Sequence, residues 1–204
     1  MVEKCANESF PDKLLSTLKL WFACLSDALV YIHHQNVRHK DIKPRNILVL
    51  AESVYITDFG LARDLDLEAT SKTEGYVFGK TPMYSPPEVI SEGKRGRSAD
   101  IFSLGCVFAE MATVLNKRSI FEFFKYRVRN GVHSYYETLD KVERWFERSS
   151  CFDRLIGSMI SIHPENRPSA PVILLDWRVS GAIWIGLDLA GLDPAVSYIW
   201  TGLD

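Results

Sequence analysis

Three side chains in the stretch HKDIKPRN, His39 to Asn46, have the types and spacing to handle a phosphoryl group. Asp41 is a carboxylate able to orient an attacking hydroxyl and accept its proton. Lys43, two residues on, is a cation able to neutralise charge on a transferred phosphoryl group. Asn46 offers a neutral oxygen suited to magnesium, and Pro44 stiffens the path between them. A second carboxylate, Asp58, opens the tripeptide Asp58-Phe59-Gly60 and is placed to ligate the same ion. Charged clusters usually face water, but this one lies between two apolar segments.

Those segments must hold the loop. Leu14, Leu18, Trp21 or Phe22, Leu25, Leu29 and Ile32 recur at steps of three and four, which predicts an amphipathic helix of about twenty residues. Ile47–Leu50 and Val54–Ile56 predict two short strands of a hairpin. Arg63 to Gly79 is polar and aperiodic and reads as a long loop. Ile101, Leu104, Val107 or Phe108, Met111 and Leu115 predict a second helix, with Ser98 as its cap and Asp100 favouring its positive end. Leu139 to Phe146 and Phe152 to Ile160 predict two more, and Pro168 a start for the last. Asn116 to Val132 is expected to be a solvated connection. The fold class expected is mainly α with a small β hairpin.

The bulk numbers narrow the classes. The chain has 204 residues, is 47% hydrophobic and carries a formal charge of −2. That suits one globular domain and argues against a nucleic-acid partner, which would favour a basic excess. Four scattered cysteines without a C-x-x-C pair read as reduced, mostly buried thiols of an intracellular protein, cytoplasmic or nuclear. The most membrane-like window, Val179 to Trp200, contains Asp188, Asp193 and Pro194, so no membrane span is expected. The basic run Gly93 to Arg97 reads as a solvated loop.

Five motifs in order resemble the eukaryotic protein kinase family. HKDIKPRN resembles its catalytic loop and TDFG its magnesium-binding motif. TPMYSPPE, Thr81 to Glu88, resembles the close of the activation segment. SADIFSLGC, Ser98 to Cys106, resembles the start of the large central helix, with Asp100 among its structural residues. HPENRP carries Arg167, which in the family pairs with the glutamate matching Glu88.

The resemblance implies a kinase large (C-terminal) lobe using ATP and magnesium. It makes Asp41 the catalytic base, Lys43 the phosphate contact, and Asn46 and Asp58 the metal ligands. It places Leu48 beneath the adenine ring; a plain core leucine is the alternative for that position. His39, Phe59 and Gly60 would align the site, and Thr81 would contact Asp41. Thr81 and Lys43 together imply a serine or threonine hydroxyl of a protein as acceptor. Lys40 stands where the family has arginine, keeping the charge but losing the two-pronged geometry that grips a loop phosphate.

No G-x-G-x-x-G occurs in the 204 residues. The small (N-terminal) lobe, with its glycine-rich lid and ATP-binding lysine, is therefore expected to be absent. The expected organisation is an extension over 1–13, the large lobe over 14–176 and an irregular apolar tail over 177–204. Two functions follow. One is a serine/threonine kinase present as a large-lobe fragment, weak or inactive alone. The alternative is a lobe-only pseudokinase acting as a binding module. Either way the cleft face is expected to be exposed and to attract a covering partner.

Overall fold

The computed structural model describes residues 11–61, 63–64, 83–93, 96–147 and 151–185. Its elements in chain order are α1 (Asp12–His34), β1 (Val37–Arg38), β2 (Ile47–Leu50), β3 (Ser53–Ile56) and β4 (Arg63–Asp64). They continue with α2 (Pro87–Glu92), α3 (Arg97–Leu115), α4 (Ile120–Arg127), α5 (Leu139–Phe146), α6 (Cys151–Met159) and α7 (Ala170–Ile185). The chain is mainly helical, with two small antiparallel pairs. β2 and β3 form the hairpin in the register Ile47↔Ile56 to Leu50↔Ser53. β1 pairs with β4.

The centre of the lobe is α3. It is apolar nearly all round, and Ile101, Phe102, Leu104, Cys106, Phe108 and Ala109 are buried. Such a helix must be enclosed on every side. α1 lies on one flank with Leu15, Leu18, Phe22, Leu25, Leu29 and Ile32 inward. The stripe is shifted slightly from the expected one: Leu15 is buried and Leu14 is 43% exposed. Both α1 and α3 are long and apolar enough to cross a bilayer by length and composition. Here they are packed as core helices of the lobe.

α7 closes the other side of α1. Trp177 lies with its ring centroid 4.6 Å from that of Phe22 and 5.8 Å from that of Phe108. The helix therefore runs straight across the boundary expected at Trp177, because that indole completes the core. Residues 186–204, the rest of the expected tail, fall outside the described residues.

Three other expectations change. The segment Asn116 to Val132 is not a solvated connection: it contains α4, whose Phe123 and Arg127 are fully buried. Ser98 does not cap α3, which starts at Arg97 with Gly96 before it and no side-chain cap. The third concerns the reading of Leu48 as a plain core leucine: Leu48, Val49 and Leu50 are about half exposed or more, as expected of the cleft face. Of the cysteines with described side chains, Cys106 is buried and Cys24 exposed.

Candidate functional site

The loop between β1 and β2 is held from beneath by one buried carboxylate. Asp100, on the first turn of α3, accepts the backbone N–H of Lys40 on Oδ1 at 2.8 Å. Its Oδ2 accepts the backbone N–H of His39 at 2.9 Å and bonds to His33 Nε2 at 3.0 Å. Asp100 is only 1% exposed. A carboxylate accepting three bonds in such a place is a strong tether, since charge-assisted bonds contribute roughly 1.5–3 kcal/mol each. It also forces the chain to turn: Lys40 takes φ +69, in the left-handed region.

His39 ties this loop to the next. Its Nε2 is 2.9 Å from the carbonyl of Thr57, which can only accept. Its Nδ1 accepts the Asp41 N–H at 3.3 Å. Both contacts fit the neutral ring with hydrogen on Nε2. The Phe59 ring lies 4.9 Å from the imidazole by centroids. His39 and Phe59 thus pack together behind the polar residues.

In front of them Asp41, Lys43 and Asn46 form one cluster. Lys43 Nζ donates to Asp41 Oδ2 at 2.5 Å. Asn46 Nδ2 donates to the same oxygen at 3.0 Å and to the Asp41 carbonyl at 2.8 Å. Asp41 and Lys43 are roughly one-third exposed, open to a substrate, while Asn46 is buried.

The hairpin brings the second carboxylate back. Ile47 pairs with Ile56, so Asn46 and Thr57 stand side by side at the strand ends. Thr57 N and Oγ1 both donate to the Asn46 carbonyl, at 2.8 and 3.1 Å. Asp58 follows at once, exposed, with φ +63 and its Oδ1 accepting from Gly60 N at 3.3 Å. A left-handed aspartate outside any helix stores strain of about 1 kcal/mol or more, a feature common at functional sites. An amide oxygen at Asn46 and a carboxylate at Asp58 are donor types that suit a hard cation such as magnesium.

Leu48 is 53% exposed, so it is no core leucine. Its strand presents an apolar face to the outside. Between α1 and β3, Ala28, Tyr31, Ile32, Gln35, Val37, Ile56 and Phe59 line an apolar pocket of about 290 Å³.

Glu88 and Arg167 meet on the far side of α3. Arg167 Nη1 and Nη2 donate to the two Glu88 oxygens at 2.6 and 3.0 Å. Arg167 also donates to the carbonyls of Ser98 and Ser161 and lies over the Phe102 ring at 5.0 Å. This bidentate pair anchors α2 on the lobe. Thr81 and the loop hydroxyls Thr70, Ser71, Thr73 and Tyr76 lie outside the described residues, as do Lys94 and Arg95 of the basic run.

Sequence reasoning missed the tethering role of Asp100, which it read as a helix-start charge. It also missed His33 and Thr57. His33 carried a weak signal, a polar ring inside the apolar stripe of α1. Thr57 carried none beyond its place before Asp58.

Comparisons with known proteins place the sequence in a family. The family model for the protein kinase domain matches residues 3–177. Serine/threonine-protein kinase 36 of Mus musculus is 30% identical over 84% of this chain, which spans 12% of that protein. Interferon-induced, double-stranded RNA-activated protein kinase of Rattus norvegicus is 33% identical over 84% of this chain and 32% of its own length. Mitogen-activated protein kinase kinase kinase 20 of Arabidopsis thaliana is 33% identical over 64% of this chain and 39% of its own length.

Proposed function

Because this chain belongs to the protein kinase family, as the match over residues 3–177 shows, we propose that it carries the catalytic half of a serine/threonine protein kinase. The observation that supports this best is the hydrogen-bonded cluster of Asp41, Lys43 and Asn46 beside Asp58, on a loop clamped by Asp100. A lobe without chemistry to perform has no need to hold these four polar residues on one edge.

Each residue has a task in that reaction. Asp41 orients the acceptor hydroxyl and takes its proton as the oxygen attacks. Lys43, already paired with Asp41, is placed to shift its charge onto the transferred phosphoryl group. Asn46 and Asp58 would hold magnesium, Leu48 would underlie the adenine of ATP, and His39 keeps Asp41 and the Asp58 loop in register. When bound, ATP with magnesium supplies the phosphoryl group and the neutralising charge. The serine or threonine acceptor rests on Lys43 and Thr81. With no glycine-rich loop in these 204 residues, turnover by this chain alone is expected to be slow.

A second reading, a binding module, draws support from the outward apolar face of Leu48, Val49, Leu50 and Phe59. One experiment separates the two. The purified chain is incubated with magnesium, labelled ATP and a generic protein substrate, alongside Asp41→Asn. Label on serine or threonine that disappears in the variant supports the kinase reading. Absence of both turnover and a nucleotide-induced thermal shift would overturn it for this chain and leave the module.

A further inference from the structure

A second polar cluster lies under the segment that ends the activation-segment-like motif. Tyr84 OH and Tyr135 OH both donate to one oxygen of Glu110, at 2.7 and 2.8 Å. The backbone around Tyr84 is pinned as well. Tyr135 N donates to the Met83 carbonyl at 2.9 Å, and Ser103 Oγ donates to the Tyr84 carbonyl at 2.9 Å. Met83 and Tyr84 are thus held by α3 and by the turn before α5.

Beneath Tyr135 sits Arg127, the last residue of α4 and 0% exposed. Its guanidinium lies 3.7 Å from the Tyr135 ring centroid. Nη1 donates to the His133 carbonyl at 2.8 Å and to Thr138 Oγ1 at 2.9 Å. Nε and Nη2 are buried without a hydrogen-bond partner. An arginine cannot shed its proton, and each unsatisfied buried donor forfeits the bonds it made in water. Stability alone therefore does not explain a guanidinium here, and an apolar side chain of the same length would fill the space at lower cost.

We propose that Arg127 is a positioning residue for the Met83–Tyr84 segment, acting through Tyr135 and Glu110. Its ring contact fixes Tyr135, whose amide and hydroxyl bind Met83 and Glu110. Its charge adds to the two phenol bonds in keeping Glu110 an acceptor. A single carboxylate oxygen receiving two phenol donors is best served by the ionised form, because a carboxyl O–H would add a donor among donors. Burial pushes the Glu110 carboxyl upward, the Tyr84 and Tyr135 hydroxyls pull it down, and the Arg127 charge adds a smaller pull in the same direction. The other titratable groups facing Glu110 are Tyr84, Tyr135 and the Cys106 thiol, all pushed up by burial and so neutral. The functional consequence rests on the kinase reading above: Thr81, two residues upstream of Met83, is the residue that reading sets against Asp41.

The test uses the full chain and reads hydrogen exchange by NMR at the Tyr135 amide, the donor to Met83. Arg127→Met keeps the length and removes the charge, and Arg127→Lys restores it. Protection of the Tyr135 amide should fall ~10-fold or more in Arg127→Met relative to the Leu29 amide of α1 in the same sample. Arg127→Lys should recover most of it, and adding Tyr84→Phe to Arg127→Met should cause little further loss. Unchanged protection at Tyr135, or an equal loss at Leu29, would overturn the proposal. If Arg127→Met fails to fold, Tyr84→Phe probes the same chain, and loss of Tyr135 protection relative to Leu29 is expected. No loss there overturns it. Where the wild-type chain transfers phosphate, Arg127→Met should raise KM for the acceptor protein more than it lowers kcat. A chain with neither transfer nor a nucleotide-induced thermal shift sinks the kinase reading, while the exchange data still decide the positioning role.

Discussion

Asp100 shows how much one side chain can hold. Replacing it by alanine leaves the N–H groups of His39 and Lys40 and the ring of His33 facing a buried void. The expected loss is about 3–5 kcal/mol, the scale for stripping a buried, hydrogen-bonded charge of its partners. Thermal melting should show it, and Asp100→Asn should lose less because an amide oxygen can still accept. Glu110 gives a pH prediction. Its carboxyl is raised above the ordinary value of 4.5, chiefly by burial. The fold therefore holds that proton more tightly than the unfolded chain does. This contribution is complete below the unfolded value and is lost as pH rises through the raised folded value. Glu110→Gln should flatten the decline over that window and melt higher than wild type at neutral pH. Asp41, Lys43 and Asn46 could be singled out at this scale because they share one short loop, and the structure brings their side chains together. Asp100 was half legible: its motif was recognised, but a carboxylate near a helix start also suits the dipole, and only the fold shows which donors reach it.

The elements tell a similar story. α1, the hairpin, α3, α5 and α6 could be read because their apolar residues keep a period of three to four or form short runs. α4 could not. Its eight residues, IFEFFKYR, mix buried Phe123 and Arg127 with exposed Phe121 and Tyr126, so no clean stripe appears. The run of α7 past Trp177 was hidden for a related reason, since its outer face keeps Val172, Leu175 and Val179 exposed and blurs the period. One glycine matters for how these helices fit. A Cβ on Gly105 would sit 2.8 Å from Met159 Cβ and from Ile160 Cγ2. Gly105→Ala must push α6 away from α3, at an expected cost of about 1–3 kcal/mol. A denaturant titration should show a lower midpoint. Gly157→Ala, where a Cβ meets nothing within 4 Å, should leave the midpoint near wild type or raise it slightly.

For the molecule as a whole, the exposed strand Ile47–Leu50 dominates solution behaviour. Leu48, Val49 and Leu50 are each about half exposed or more, with Leu48 and Leu50 on one face of the strand. Exposed apolar side chains of this kind on a short strand favour self-association. Light scattering of the purified chain should show mass growing with concentration, and Leu50→Lys should suppress it without lowering the melting temperature. An unchanged mass profile in that variant would place the sticky surface elsewhere. The lobe also joins distant parts of the chain: Phe22 of α1 meets Trp177 of α7, the last helix among the described residues. During synthesis on the ribosome, α1 emerges early with an oily flank that its natural cover reaches only after some 150 further residues, at the usual pace of about 5–20 per second. For those seconds the nascent protein must be sheltered by chaperones or by its own provisional collapse.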